Sequence, residues 1–346
     1  MNKLSWFSRF LIRLRHWEFW PFNVLYFPVG FYYTWLAIKK GSLFFFTSSN
    51  PSIEYGGMLG EKKSDVYDLI PNKYLPEMSF FEPSQLEEAS KYAKQLSYPV
   101  IVKPNIGERG NLVEKLNNQS DLEAYVTQCT VPFIIQELIT YPVELGVFYV
   151  RMPNEKKGRV TSVVMKEFLS VKGDGLHTVN ELLHENQRAL LQIDFTHPRL
   201  AGKLEKVPAN GEIVRIESIG NHCRGTTFLD MNHTIDDQLN EAIDQLASEI
   251  KGFYFGRFDL KCQSMDTLRR LTDFKILELN GAGAEPGHIY QPGFSLWTAY
   301  KDILWHLNAL AEISYQNKKR GYPYWPFSRG LKKIREIRRY NRTMKT

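Results

Sequence analysis

Residues 253–260 read Phe-Tyr-Phe-Gly-Arg-Phe-Asp-Leu, and residues 274–280 read Phe-Lys-Ile-Leu-Glu-Leu-Asn. Both runs are short and apolar, with polar residues at alternate positions, which is the pattern of a β-strand. Because side chains alternate between the two faces of a strand, Arg257 and Asp259 lie on one face of the first strand. The polar residues of the second strand share a face in the same way.

Two carboxylates and an amide can therefore converge from these two strands, namely Asp259, Glu278 and Asn280. Oxygen ligands of this kind suit Mg²⁺, with Mn²⁺ as a possible replacement. Three ligands are too few for a closed cage, so the ion would keep waters and take further ligands from nucleotide phosphates. The implied partners are ATP and Mg²⁺.

The chain has 346 residues and is 43% hydrophobic, enough for one large domain or two intermingled domains with a real core. Its three cysteines, Cys129, Cys223 and Cys262, have no metal-type spacing. Buried thiols in a reducing compartment are therefore expected, and no disulfide framework is implied. The sequence leaves the oligomeric state open.

The positive charge lies at the two ends of the chain. Residues 1–40 carry a net charge of +5 and residues 318–346 carry +10, so by subtraction from the total of +6 the middle carries −9. A nucleic-acid groove would require a basic middle, so no nucleic-acid partner is expected. Basic ends that flank an acidic body indicate attraction to anionic lipid.

Residues 19–38 hold no charged side chain across twenty positions and are rich in Trp, Tyr and Phe. Pro21, Pro28 and Gly30 argue against an uninterrupted transmembrane helix. The basic residues that flank the segment on each side favour the cytoplasmic face of the membrane. A hairpin or in-plane insertion broken near Pro28 is therefore preferred to a transmembrane helix. The remaining alternative is an aromatic core helix of a soluble protein.

The other end, residues 318–346, combines an aromatic stretch with a basic amphipathic pattern, in which Leu331, Ile334, Ile337 and Tyr340 are three or four residues apart. This pattern is typical of a helix that lies on a membrane, and equally of a terminal helix that docks on its own protein. Both ends together favour a cytoplasmic protein held peripherally or monotopically on the inner face of the membrane.

Between the ends, helices and strands are interspersed in an order that favours an α+β fold with antiparallel sheets. Helices are expected over residues 83–96, 120–127 and 235–251, the last with Thr234 or Asp237 as its cap. Strands are expected over residues 98–103, 133–138, 143–151 and 159–167, in addition to the two quoted above.

Two segments ahead of the acidic strands are suited to a nucleotide. Lys103 ends a strand and is followed by the loop Pro-Asn-Ile-Gly-Glu-Arg-Gly-Asn111, whose glycines allow backbone N–H groups to face an anion. The strand that ends at Glu137 and the later Glu144 can offer backbone groups and carboxylates to an adenine and a ribose.

With these segments in this order, residues 63–315 resemble the ATP-grasp superfamily, in particular carboxylate–amine ligases such as D-alanine–D-alanine ligase and cyanophycin synthetase. The motifs that carry the resemblance are Pro-Val-Ile-Val-Lys-Pro104, Ile-Ile-Gln-Glu-Leu138 with Glu144, Lys172-Gly-Asp-Gly-Leu-His-Thr-Val-Asn-Glu-Leu-Leu183, Gly-Arg-Phe-Asp259 and Leu-Glu-Leu-Asn280.

The resemblance implies a role for each matching residue. The phosphates would be bound by Lys103, by Lys63 or its neighbour Lys62, and by Lys166. The adenine would be bound by Glu137, Leu138 and Ile139, and the ribose by Glu144. Mg²⁺ would be held by Asp259, Glu278 and Asn280, while Arg257 would face the transferred phosphoryl group and Arg224 would stabilise the reaction intermediates. It also implies two ATP-grasp subdomains, at residues 63–136 and 137–317.

The activity implied is formation of an amide from a carboxylate and an amine through an acyl phosphate, with ADP and phosphate released. A phosphotransferase and a non-catalytic nucleotide-binding membrane adaptor are the alternatives. Where the family carries a preceding domain, residues 1–40 are expected to form a membrane-associated segment and residues 41–62 a short lead-in. Asn50, Glu54 and the Gly56-Gly57 turn are therefore expected to line an acceptor pocket for small-molecule, amphiphilic or lipid-linked substrates.

Overall fold

The computed structural model describes residues 6–107, 110–193, 195, 200, 202–216, 220 and 225–343. Its helices are α1 Trp6–Arg15, α2 Phe22–Leu25, α3 Phe27–Lys40, α4 Lys63–Tyr67, α5 Leu86–Leu96, α6 Gln119–Gln128, α7 Val179–Glu185, α8 Gln187–Gln192, α9 Asp237–Ser248, α10 Met265–Arg269, α11 Leu296–Lys319 and α12 Phe327–Thr343. Its strands are β1 Met78–Phe81, β2 Val100–Pro104, β3 Glu114–Leu116, β4 Phe133–Glu137, β5 Val143–Val150, β6 Arg159–Glu167, β7 Ser170–Lys172, β8 Ile213–Arg215, β9 Thr227–Asp230, β10 Phe255–Cys262 and β11 Phe274–Asn280.

The strands form a four-stranded sheet in the order β1-β4-β2-β3, a five-stranded sheet in the order β11-β10-β5-β6-β9 and a separate β7-β8 pair. Neighbouring strands in each sheet are antiparallel. The predicted α+β fold with antiparallel sheets is confirmed. Strands β5, β6 and β10 of the larger sheet carry branched and aromatic residues such as Val147, Val163 and Phe258, which favour strands.

One face of the five-stranded sheet is covered by α9. Leu239, Ile243 and Leu246 of this helix are fully buried in one core cluster with strand residues that include Val147 and Leu260. The spacing of three and four residues places the helical side chains on one stripe toward the sheet. The other face of the sheet is therefore the one on which polar groups can converge.

The N-terminal cap of α9 is Asp236, whose carboxylate accepts a hydrogen bond from the Leu239 backbone N–H at 2.8 Å. The sequence predicted Thr234 or Asp237 as the cap, and this prediction is wrong. Asp237 is already the first residue of the helix, where its backbone is helical and its side chain is not placed to receive the N–H groups of the first turn.

The N-terminal helices pack on α11, a long helix that the sequence pattern did not single out. Val29, Leu36 and Ala37 of α3 are buried. The Tyr32 hydroxyl donates a hydrogen bond to the Asn308 side chain at 2.8 Å. One side of the aromatic segment thus belongs to the protein core, as in the alternative of an aromatic core helix.

A break separates α2 from α3 at Tyr26, two residues before Pro28. Pro28 lies in the first turn of α3, where its missing N–H would have had no partner inside the helix. Among the described residues, no helix combines the length and the apolar character that a membrane crossing requires.

The C-terminal helix α12 docks on the body of the protein with its apolar face. Leu331 and Ile334 pack against a core cluster that contains Phe44. Further along, Ile337 lies directly against Gly60, and the Tyr340 hydroxyl donates to the Ile106 carbonyl at 3.2 Å. Of the two interpretations of this helix, docking on the protein is the one observed for its apolar face.

Asn50 is a fully buried structural residue. Its amide nitrogen donates to the Gly56 and Phe255 carbonyls at 3.0 and 2.8 Å, and its amide oxygen accepts from the Tyr254 and Phe255 N–H groups at 2.9 and 3.0 Å. The prediction that Asn50 lines a substrate pocket is wrong, because all of its polar capacity is used to join the lead-in segment to β10.

Candidate functional site

The site lies on the face of the five-stranded sheet opposite α9. In the antiparallel pair β10-β11, Asp259 stands directly across from Glu278, and Arg257 stands directly across from Asn280. These side chains share one face of the sheet, as their alternation in the sequence predicted.

Asp259 is at the centre of the site and is buried. Its two oxygens accept from Nε and Nη2 of Arg257 at 2.9 and 3.0 Å, and the Asn280 amide donates to Oδ2 at 3.1 Å. Lys166 Nζ lies 3.5 Å from Oδ1. Burial acts to raise the pKa of Asp259, but Arg257 and Lys166 outweigh it and hold this pKa below its usual value. Asp259 is therefore ionised at neutral pH.

A glycine on the next strand makes room for this pair. A Cβ on Gly146 of β5 would come within 3.1 Å of the Arg257 side chain and 3.2 Å of Asp259 Oδ1. Gly146 pairs with Asp259 across the two strands. A larger residue there would press on the ion pair, so glycine allows the salt bridge to lie flat on the sheet.

Lys63, at the start of α4, joins the site from outside the sheet. Its Nζ lies 3.2 Å from Glu278 Oε1 and donates to the Gly107 carbonyl at 2.8 Å. The competing residue Lys62 is exposed and precedes the helix. Lys63 rather than Lys62 therefore reaches the acidic strands, and it also ties the loop after β2 to them.

Lys103 contacts β11 at the point where the pairing of β11 with β10 is irregular. The pairing register shifts between Asp259 and Leu260 of β10, which leaves Leu277 of β11 as an extra residue, the arrangement of a β-bulge. The freed Leu277 carbonyl accepts hydrogen bonds from Lys103 Nζ at 3.0 Å and from the Tyr67 hydroxyl at 2.7 Å. The bulge thus connects the two sheets.

The environment of Lys103 disfavours its charge. Its Nζ also donates to Gln136 Oε1 at 2.6 Å and to the Tyr67 hydroxyl at 2.8 Å, and these partners are neutral. Burial lowers the pKa of Lys103 to about 7, against an opposing effect of Glu278. A phosphate group beside Nζ would supply the missing negative charge.

A third group of charges lies where the paired strands β5 and β10 run side by side. The Glu144 carboxylate is buried between Lys166 Nζ at 3.3 Å and Lys261 Nζ at 3.8 Å, and Lys261 also donates to the Ile139 carbonyl at 3.0 Å. Gly220 covers Glu144, since a Cβ at this glycine would come within 2.2 Å of the carboxylate.

Sequence reasoning missed Lys261, although it continues the alternation of Arg257 and Asp259 by one more step. It also missed Tyr67 and Gln136, which no local pattern distinguishes from ordinary core residues. These two become visible only through their contacts with Lys103.

The remaining predicted residues have other contacts or lie outside the described part of the chain. Glu137 Oε1 accepts from the Glu77 N–H at 2.8 Å, so its carboxylate supports the neighbouring backbone. Leu138 and Ile139 form the connection from β4 to β5, with the Ile139 carbonyl bound to Lys261. Arg224 lies outside the described residues.

The oxygen-bearing side chains of the site suit a hard cation that takes its remaining ligands from a bound molecule. Among the described residues, no group of three or more His, Cys, Asp or Glu side chains is arranged to hold a metal. Asp259, Glu278 and Asn280 supply two carboxylates and one amide, and the Glu278 side chain is 36% exposed. Such a set suits Mg²⁺ completed by phosphate oxygens and water.

No protein-family model matches this chain, and no curated protein matches it. Solved structures are similar to it. The VanG D-Ala:D-Ser ligase from Enterococcus faecalis is 17% identical, with a TM-score of 0.44, over 75% of this chain and 62% of its own. The bifunctional glutathione synthetase from Pasteurella multocida is 16% identical, with a TM-score of 0.37, over 70% and 35%.

A third similar structure is the ATP-grasp ligase PsnB complexed with a minimal precursor, at 14% identity and a TM-score of 0.40, over 72% of this chain and 59% of its own. The chain thus spans between 35% and 62% of the lengths of these proteins.

Proposed function

We propose that this chain is an ATP-dependent carboxylate–amine ligase of ATP-grasp type that forms an amide through an acyl phosphate. The observation that supports it is the convergence of cationic and oxygen-bearing side chains at the bulged β10-β11 pair. Five cations, Lys63, Lys103, Lys166, Arg257 and Lys261, face four carboxylates, Glu144, Asp259, Glu278 and, from the loop after β11, Glu285, which leaves an excess of one positive charge when Lys103 is protonated.

An excess of buried positive charge next to acidic metal-type ligands suits a polyphosphate with its cation. In this proposal Lys63 and Lys103 bind the phosphates from the side of the four-stranded sheet. Lys166 does so from the five-stranded sheet. The connection at residues 137–139 faces the adenine, and Glu144 the ribose.

Asp259, Glu278 and Asn280 would hold Mg²⁺, which when bound neutralises charge on the phosphate oxygens. Arg257, held flat on the sheet by Asp259, would face the transferred phosphoryl group. Arg224 is proposed, from the sequence alone, to stabilise the reaction intermediates.

The proposed reaction balances in two steps. The carboxylate oxygen attacks the terminal phosphorus of ATP and the bond to ADP breaks, which gives an acyl phosphate. The amine nitrogen then attacks the acyl carbon, so that a C–N bond forms, the C–O bond breaks and phosphate leaves. The cations of the site stabilise the negative charge that moves onto the departing groups.

The proposal is tested with the full chain, ATP, Mg²⁺ and mixed pools of carboxylates and amines, with mass detection of condensed products. A ligase releases phosphate only when both a carboxylate and an amine are present. Phosphate transfer to a stable product would indicate a phosphotransferase instead, and nucleotide binding without turnover would indicate an adaptor.

Nucleotide binding is expected to take up protons at pH 8. With a pKa of about 7, Lys103 is largely neutral in the free protein at this pH. Phosphates favour its charged form and raise this pKa, so about one proton is bound with the nucleotide. The affinity accordingly decreases as the pH rises above 7.

Titration calorimetry at pH 8 in two buffers of different ionisation enthalpy measures this uptake. In the Lys103→Met variant the uptake should disappear. The same uptake in both proteins would assign it to another group.

We further propose that the protein works at a membrane surface, on an amphiphilic or lipid-linked substrate. The outward side of α3 carries Phe27, Phe31, Trp35 and Ile38, which are between 49% and 77% exposed. Lys39 Nζ lies 4.9 Å from the Trp35 ring centroid, so a cation borders this aromatic face. Exposed aromatic groups beside basic residues suit the interface of an anionic bilayer.

The double variant Phe31→Ser/Trp35→Ser is expected to bind vesicles rich in phosphatidylglycerol at least about 10-fold more weakly, because each large apolar side chain contributes roughly 1.5–3 kcal/mol when buried. Co-sedimentation with vesicles measures the effect. Leu176→Ser is the control, since Leu176 is 79% exposed but lies in the segment between β7 and α7. An equal loss of vesicle binding in both variants, or no loss in either, would contradict lipid contact by α3.

A further inference from the structure

Glu285 lies in the loop after β11 and beside the site. Arg257 Nη1 donates to the Glu285 backbone carbonyl at 3.1 Å. The Glu285 carboxylate accepts from the Tyr290 hydroxyl at 2.6 Å. The loop is thus anchored to the site arginine through its backbone and closed on itself through Tyr290, and the Glu285 carboxylate is near enough to Arg257 to act on its charge.

The N-terminal segment forms the wall behind this carboxylate. The Tyr26 and Tyr290 hydroxyls lie 3.3 Å apart. Trp17 Nε1 donates to the Phe294 carbonyl at 2.7 Å, and the Tyr300 hydroxyl donates to the Leu25 carbonyl at 2.9 Å. Through these contacts the segment that bears the aromatic face is joined to the Arg257 end of the site.

Glu285 differs from the other carboxylates of the site in its partner. Glu144, Asp259 and Glu278 each form an ion pair with a lysine or an arginine. Two neutral phenols surround the Glu285 carboxylate: the Tyr290 hydroxyl donates to it at 2.6 Å, and the Tyr26 hydroxyl also interacts with it. A neutral donor orients a carboxylate without neutralising it, so Glu285 can attract a cationic ligand in addition to acting on Arg257.

We propose that Glu285 binds the ammonium group of the acceptor amine, with Tyr290 holding the carboxylate in place. This assignment rests on the ligase function proposed above. A primary amine is an ammonium ion at neutral pH, and a carboxylate beside Arg257 places it next to the acyl phosphate that Arg257 would face. The acceptor class is therefore a primary amine that binds at the Arg257 end of the site.

The proton balance of the second step follows. The ammonium gives one proton to Glu285 and becomes a free amine, which attacks the acyl carbon. The C–N bond forms, the C–O bond to phosphate breaks, and the second proton of the nitrogen leaves with the phosphate. Glu285 then returns its proton to water.

Glu285→Gln tests this role, because glutamine keeps an oxygen that accepts from Tyr290 but carries no charge. The full chain is supplied with ATP, Mg²⁺ and a pool of carboxylates. The nucleophile is hydroxylamine in one reaction, and a pool of amino acids and ethanolamine, or vesicles that contain phosphatidylethanolamine, in the others. Hydroxylamine is neutral at pH 7 and needs no ammonium site to trap an acyl phosphate.

Glu285→Gln should lower amide formation roughly 10- to 100-fold, as expected for the loss of a hydrogen bond to a charged group. It should leave hydroxamate formation within about twofold of the wild type, as expected if a site for ammonium does not serve this neutral nucleophile. Tyr290→Phe keeps the charge and should affect amide formation less. Amide formed from ethanolamine indicates a soluble acceptor, and amide formed from vesicles a lipid-borne one.

Equal losses of amide and hydroxamate in Glu285→Gln, or no loss of either, would overturn the assignment of Glu285. Absence of both hydroxamate and amide with the wild-type chain would instead overturn the proposed ligase function. The hydroxamate reaction also shows that the variant is folded and activates the carboxylate.

Discussion

Lys103→Met is expected to lower turnover by about 10²- to 10³-fold, the usual cost of removing one preorganised charge from an active site. Lys103 Nζ is positioned by three acceptors, Gln136, Tyr67 and the Leu277 carbonyl, at the point where the two sheets meet. Methionine fills a similar volume without the charge. ATP consumption with the substrate pools measures the effect.

Lys62→Met is the matched control for this substitution, since Lys62 is exposed and adjacent to the site lysine Lys63. It should leave turnover within a few-fold of the wild type. Normal ATP consumption by Lys103→Met would remove this lysine from the proposed site.

The stability of Lys103→Met distinguishes a chemical defect from unfolding. The pKa of Lys103 is about 7 in the folded protein and about 10.4 in an unfolded chain. The unfolded state therefore binds more protons between these values, and the contribution of Lys103 to the free energy of unfolding rises with pH from 7 to 10. This rise should be present in the wild type and absent from the variant, as measured by urea unfolding at several pH values.

Glu278→Gln is expected to lower turnover by about 10²- to 10³-fold and to raise the Mg²⁺ concentration needed for half-maximal activity. Glutamine preserves the size of the side chain but removes the charge that would attract the cation. Glu278 is 36% exposed and pairs with Lys63, so its loss should change the free energy of unfolding by less than about 1 kcal/mol.

Glu249→Gln is the control for this substitution. Glu249 also forms a lysine ion pair, with Lys73 at 2.9 Å, but on a different part of the surface. A Mg²⁺ requirement that is unchanged in Glu278→Gln would mean that this carboxylate does not hold the ion.

The shared face of Arg257, Asp259, Glu278 and Asn280 could be predicted from the sequence because the period of two in a strand is a local property. The same rule places Lys261 on this face as well, so Lys261 could also have been predicted as a site residue from the sequence. The exact pairing of Asp259 with Glu278 needed the structure, since register depends on how two strands meet.

The bulge at Leu277 carries no sequence signal. Residues 274–280 alternate as an ordinary strand would. The unpaired Leu277 carbonyl accepts hydrogen bonds from Lys103 and Tyr67, which are more than 170 residues away in the chain. Contacts at such separation depend on the packing of the whole fold and have no local period.

The amphipathic pattern of α12 established a helix with one apolar face, and the uncharged run at residues 19–38 established an apolar segment broken near a proline. Neither pattern states what covers an apolar face, because burial against protein and burial in lipid remove the same surface from water. Tertiary packing decided this for α12, whose apolar face lies on the body, and for the inner side of α3, which lies on α11. It also brought the Glu285 carbonyl to Arg257, because the path of the loop after β11 depends on packing and is not encoded by any spacing along the chain.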